Sequence, residues 1–179
     1  MLYIVKAPNP VLAQKAKEVT KVDKATLNLI EEMKISLDSA TDPIGVGLAA
    51  PQVGKSLKIF ISKPTVKSKV SVFINPVITK SENFDEKHKD KATKLEGCLS
   101  LPNIWGDVQR FKMVQVEYLD ENNVKHNKQF TGFMAIIVQH EIDHLDGLLF
   151  TKRVLDQKGT LYKSEKNEKG EDIFEEINI

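Results

Sequence analysis

The sequence predicts an α+β fold in which antiparallel sheets pack around a central helix near the C-terminal end, the helix that carries an H-E-x-x-H metal motif. Three observations predict it. An early stretch repeats apolar residues at helical spacing, the middle of the chain alternates at strand spacing, and a late stretch is apolar almost all round until it reaches Gln139-His140-Glu141-Ile142-Asp143-His144. Helix, several strands, then a buried helix is the order of an α+β domain, and no internal repeat interrupts it. With 179 residues the chain suits one core rather than two, so 1–179 is read as a single domain.

From Asp23 to Ala40 the residues Leu27, Ile30, Met33, Leu37 and Ala40 recur at steps of three and four, an amphipathic helix with Asp23 as its N-cap. The glycines and prolines between Asp42 and Gly54 forbid regular helix, yet the other residues there are small or apolar, which reads as a loop pressed against something. Leu57, Ile59 and Ile61, then Val70, Val72 and Ile74, alternate as two strands. Lys80 to Lys94 is dominated by charge and reads as a solvated loop. Val114, Val116 and Tyr118 precede Asp120-Glu121-Asn122-Asn123 and a second extended run to Phe130, a hairpin with a four-residue loop. The buried helix spans Thr131 to Asp146, with Thr131 as N-cap and Gly147 as its stop. Beyond Arg153 the tail is polar until Ile173, Phe174 and Ile177, which can dock back as a short helix or a strand.

Composition narrows the function. Lys plus Arg number 26 against 25 Asp plus Glu, so no large positive field attracts nucleic acid or an anionic membrane. No run of 18 apolar residues occurs and the N-terminal residues lack the pattern of a secretory signal, which points to the cytoplasm. Cys98 is the single cysteine, so an internal disulfide is ruled out and a reducing compartment suits it.

The chemistry concentrates in the late helix. At about 100° per residue, His140 and His144 lie roughly 40° apart on one face and one turn apart, so two imidazoles reach one ion. Glu141 is offset so that it stays off the metal while touching water on it, the position of a general base. Two helical histidines can instead be hydrogen-bonded core residues, but an otherwise apolar helix buries His140, Glu141 and His144 together only against a neutralising partner. An open catalytic site needs a third protein ligand. In metzincin proteases a glycine and a third histidine follow the motif; here Gly147 is present but Phe150 stands at the histidine position. His88 and His126 sit in polar or hairpin segments and read as surface residues. Cys98, in Glu96-Gly97-Cys98-Leu99-Ser100, is either a small buried hydrophobe or, as a thiolate, the completion of a Cys plus two His set. Ile136 and Phe133, four and seven residues before His140, share the motif's face and wall an apolar pocket or form plain core.

Three segments, Gly45-Val46-Gly47-Leu48-Ala49-Ala50-Pro51-Gln52, Glu96-Gly97-Cys98-Leu99-Ser100 and Gln139 to His144, together resemble the peptide deformylases, in that family's order and over about 8–154, with a variable tail over 155–179. The resemblance implies a metal-dependent hydrolase that removes the formyl group from the N-terminal formyl-methionine of new polypeptides and releases formate. It implies Cys98, His140 and His144 as metal ligands, Glu141 as proton carrier, and the Gln52 side chain and Leu99 backbone N–H as oxyanion donors. The ion it implies is Fe2+, for which Zn2+, Ni2+ or Co2+ can substitute. The substrate peptide would pair with Val46-Gly47 as an added strand and pass Gly97, Phe133 and Ile136. Its partners would be N-formylmethionyl peptides, and a transient ribosome contact is compatible with them. One departure stands out: many family members carry an arginine just after the cysteine motif, where this chain has Asn103-Ile104-Trp105, so Trp105 becomes an apolar lid. A zinc endopeptidase and a non-catalytic structural metal site are the alternatives; the first needs a downstream His or Glu ligand, the second a fourth protein ligand.

Overall fold

The computed structural model describes residues 1–41, 43–84 and 95–177. Helix α1 (Lys24–Asp38) starts where Asp23 accepts from the Thr26 N–H through its side chain. Leu29, Ile30, Met33 and Leu37 form its buried face; Leu27, expected on that face, is 39% exposed because Leu29 fills the contact. The glycine- and proline-rich segment that follows is mostly buried and holds a short strand, β1 (Gly47–Ala49), and a 3-10 turn at Ala50–Val53. Strand β2 (Ile59–Ser62) pairs with β1 and with β3 (Ser71–Phe84), and the hairpin β6 (Phe111–Leu119) to β7 (Lys125–Thr131) completes an antiparallel sheet in the order β1-β2-β3-β6-β7. Lys80 to Phe84, expected in a solvated loop, continue β3 against β6, since ladder hydrogen bonds satisfy the backbone while the charged side chains stay in water. The rest of that charged segment, 85–94 with His88, lies outside the described residues.

Period-two alternation explains how this sheet is covered. Ile59 and Ile61 of β2 pack with Val72 and Ile74 against α1, whereas Phe60 packs with Phe73, Val114 and Val116 against Ala135, Val138 and Leu145 of helix α2 (Gly132–Leu145). Helices on both faces leave every residue of β2 buried. The Phe60 and Phe73 rings stack at 4.3 Å between them.

A second antiparallel sheet, in the order β4-β5-β8-β9, consists of β4 (Leu95–Cys98), β5 (Leu101–Asp107), β8 (Leu161–Lys166) and β9 (Asp172–Ile177). Sequence alternation did not reveal β4 and β5, which carry Gly97 and Pro102. The tail therefore docks as a strand hairpin. Helix α3 (Phe150–Asp156) packs Phe150 and Val154 on this sheet beside Cys98, Val108 and Leu161. Helix α2 thus has one face on the first sheet and the Cys98 strand on another, the central helix of the fold. Among the described residues no helix is long and apolar enough to cross a membrane.

The far end of α2 is set by Gly147. Its φ is +74°, and an added Cβ would stand 2.8 Å from backbone carbons of Ala13 and Gln14. Gly147→Ala is expected to cost roughly 2 kcal/mol of stability, through left-handed strain and this backbone clash. Urea unfolding measures it, and a loss below half that size would mean the N-terminal segment yields freely.

Candidate metal centre and active site

Cys98 Sγ, His140 and His144 come from β4 and α2, and one ligand atom of each lies within 4.8 Å of the others. His144 Nε2 is 3.2 Å from Cys98 Sγ. His140 turns its Nδ1 away, 3.0 Å from Glu96 Oε2, leaving Nε2 for the cluster. Ligand bonds of about 2.0–2.3 Å on a tetrahedron set donors roughly 3.5 Å apart, so a thiolate and two imidazoles at this spacing fit one divalent ion. Burial alone would raise the Cys98 thiol, but the charge of His144 and hydrogen bonds from His140 and His144 outweigh it and hold the thiol well below its ordinary value. A ready thiolate is the form that binds metal.

Around His140 lies a buried ion network. Arg110 donates from Nε and Nη2 to both Glu96 oxygens at 2.8 and 2.9 Å, and from Nη1 to Asp143 Oδ2 at 2.6 Å. Arg153 donates to both Asp143 oxygens, at 3.2 and 2.6 Å. Burial pushes the Glu96 carboxyl up, yet hydrogen bonds and charge from Arg110, joined by His140, bring it down to about 2. Glu96 is thus anionic, and it orients the His140 ring. Asp143 and both arginines had no assigned role from sequence. A usable signal existed: Arg110 and Arg153 are the chain's two arginines among 26 cationic residues, and planar bidentate pairing is the task lysine cannot perform.

Gln52 sits in the 3-10 turn after β1. Ala49 N–H donates to its Oε1 at 2.8 Å, which directs Nε2 toward Cys98 Sγ at 3.5 Å and Ser100 Oγ at 3.3 Å. Leu99 and Ser100 form the turn between β4 and β5, tied to the N-terminal segment by Lys6 Nζ to the Leu99 carbonyl and Ala7 N–H to the Ser100 carbonyl. Glu141 is buried, its Oε2 has no hydrogen-bond partner among the described residues, and its Oε1 lies against Gly47, where a Cβ would come within 2.3 Å. Burial pushes its carboxyl up to about 7.

A cavity of about 310 Å³ opens onto these groups. Val46, Gly47, Gly97, Trp105, Phe133 and Ile136 all line it, as do Gln52, Cys98, Leu99, His140 and Glu141; His144 stands behind them, fully buried. His126 is elsewhere, bonded to Asp120 at 2.8 Å in the β6–β7 hairpin. Phe150, at the position where metzincins have a third histidine, stacks on His140 with centroids 6.1 Å apart. Among the described residues the cluster has three protein donors, an open set.

The family model of polypeptide deformylase matches residues 1–160. The chain belongs to the polypeptide deformylase family. Members are metal-dependent enzymes that remove the formyl group from nascent polypeptides. A peptide deformylase of Pseudothermotoga lettingae is 44% identical over 143 residues, covering 79% of this chain and 76% of that protein. The fold agrees with the crystal structure of the Thermus thermophilus peptide deformylase, at a TM-score of 0.77 and 38% identity over 88% of each chain. The Synechococcus elongatus deformylase, solved in complex with actinonin, gives 0.75 and 35% over 85% of this chain and 78% of that one.

The depressed Glu96 carboxyl links the site to stability in acid. A carboxylate lowered from 4.5 to about 2 contributes stability that is present above pH 4.5 and is lost as pH falls toward 2. Arg110→Met removes the cation that lowers it, so stability at pH 7 should fall by roughly 3–5 kcal/mol and the acid loss over that window should flatten. Urea unfolding across pH tests this, and parallel acid limbs in the two proteins would contradict it.

Proposed function

We propose that this chain, acting as one catalytic domain, deformylates N-formylmethionyl peptides with Glu141 as proton carrier and with Gln52 Nε2 and the Leu99 N–H as oxyanion donors. The observation that carries this reading is the unpartnered, buried Glu141 Oε2 beside a three-donor cluster at the floor of an apolar cavity. Cys98, His140 and His144 would hold one divalent ion, in this reading Fe2+, with Zn2+, Ni2+ or Co2+ able to substitute; when bound, it polarises the formyl oxygen and acidifies the attacking water.

The chain's own groups do the rest. Glu141 takes a proton from the water as its oxygen bonds to the formyl carbon. Held by Ala49, Gln52 Nε2 already faces the sulfur side of the site, where negative charge grows on the former carbonyl oxygen. As the carbon–nitrogen bond breaks, Glu141 returns the proton to the amine nitrogen, leaving formate and a free N-terminus. A carboxyl near 7 both accepts and gives up a proton at neutral pH. Val46 and Gly47 stand at the start of β1, the edge strand of the first sheet, where an extended peptide can add as a strand, and Phe133 and Ile136 wall the space for a methionine side chain. Near-balanced charge and a lone thiol suit work in the cytoplasm on new chains, where a transient ribosome contact would place the substrate.

Formate release from formyl-Met-Ala-Ser by protein loaded without oxygen tests the reading. Glu141→Gln should retain metal and lose about 10²–10⁴-fold in kcat; an active variant would remove Glu141 from its role. Gly47→Ala forces a methyl against Glu141 Oε1 and should cost roughly 100-fold in kcat with metal content unchanged. Undiminished turnover there would show that the carboxylate needs no fixed position.

A further inference from the structure

Trp105 is the chain's single tryptophan and lines the cavity beside the metal donors. Its six-membered ring lies against Gly97, where an added Cβ would stand 2.9 Å from two ring carbons. The C-terminal hairpin holds it there. Trp105 Nε1–H donates to Ser164 Oγ at 3.0 Å, and Phe174 meets the ring edge-on, with centroids 5.7 Å apart and planes at 86°. Ser164 and Phe174 are direct cross-strand partners, and Tyr162 of the same β8 strand stands opposite Trp105 in the β5 pairing. One cross-strand pair therefore grips both the polar and the apolar parts of the indole. The hairpin begins at Leu161, just past the 1–160 stretch matched by the family model, so the grip is built from residues outside the shared core.

We propose that Ser164 and Phe174 are positioning residues for substrate selection: by fixing Trp105 as an apolar wall of the cavity, they make the enzyme favour formyl-methionyl peptides whose following residues are apolar rather than acidic. The inference rests on the deformylase reading above. A ring already held in place loses no rotamer freedom when a peptide packs on it, whereas a loose ring must be ordered at the moment of binding. The indole offers area to an apolar side chain and no cation to a carboxylate. Both effects act on binding, so they belong in KM, while the proton carrier and the oxyanion donors stay untouched.

The test compares wild type with Ser164→Ala, Phe174→Ala and the double variant on formyl-Met-Ala-Ser, formyl-Met-Leu-Ser and formyl-Met-Asp-Ser. In the double variant KM for the Leu peptide should rise about fivefold with kcat within twofold, and the preference for Leu over Asp should shrink to match. The emission of Trp105, read without any other tryptophan, should shift to longer wavelength and become easier to quench with acrylamide. Unchanged selectivity and emission, or an equal fall of kcat on all three peptides, would overturn the proposal. Should the double variant fail to fold, wild type titrated with Met-Leu-Ser decides: a saturable change in emission supports the wall, and constant emission at concentrations that inhibit turnover overturns it. Failure of the deformylase reading itself is a separate result, namely no formate from formyl-Met-Ala-Ser by wild type, and the emission measurements stand apart from it.

Discussion

Arg110 is buried with a full positive charge, and a charge in that position is tolerated only when fixed opposite charges surround it. Glu96 and Asp143 supply them, and each has a second obligation. Glu96 holds His140 by its Nδ1, and Asp143 receives Arg153 from α3. One guanidinium thereby joins β4, the start of β6, α2 and α3 around the Cys98, His140 and His144 cluster. Its planar fork sets distances and angles together, which a lysine in the same place would not do. The orientation of the His140 ring, and with it the direction of Nε2, is a consequence of this arrangement.

The two sheets explain why the site is both buried and reachable. Helix α2 is enclosed by the first sheet on its Ala135, Val138 and Leu145 face and meets β4 on its His140 and His144 face. The edge strands β1 and β4 flank the cavity, so the ends of two sheets border it. Glu141 sits where those edges converge. Burial raises its carboxyl, and the close approach of Gly47 limits where it can lie. The desolvation that raises the Glu141 carboxyl also makes its surroundings expensive to assemble.

Second contacts refine each group in the cavity. Gln52 is aimed by the Ala49 N–H, the turn after Cys98 is secured by Lys6 and Ala7, and Trp105 is gripped by Ser164 and Phe174. Only Ala49, three residues before Gln52, lies near in sequence to the group it supports. Pre-organised polar groups need no reordering during reaction, which is the physical advantage of so many supports around a small cavity.

The sequence by itself determined the two long helices, the β2, β3, β6 and β7 strands, and the placing of His140, Glu141 and His144 on one helix, because each is written locally: in helical spacing, in alternation, or in a motif whose geometry follows from one helical turn. Cys98 lies far from that motif in the chain, where residue type alone fits a buried hydrophobe as well as a ligand, and the fold is what brings it to the two histidines. Strands β4 and β5 escaped because Gly97 and Pro102 mask alternation, and Lys80 to Phe84 escaped because this end of β3 runs past its pairing with β2 and carries charge on its solvated positions while it pairs with β6. Leu27 and Leu29 could not be ranked until the sheet chose which side of α1 it would cover. Only the tertiary structure decided that Glu96, Arg110, Asp143 and Arg153 form one network, and that a tail hairpin holds Trp105. Those pairings span 10 to 59 residues of chain, and ion pairs and hydrogen bonds at such separations depend on where strands and helices pack, which leaves no periodic trace in the sequence.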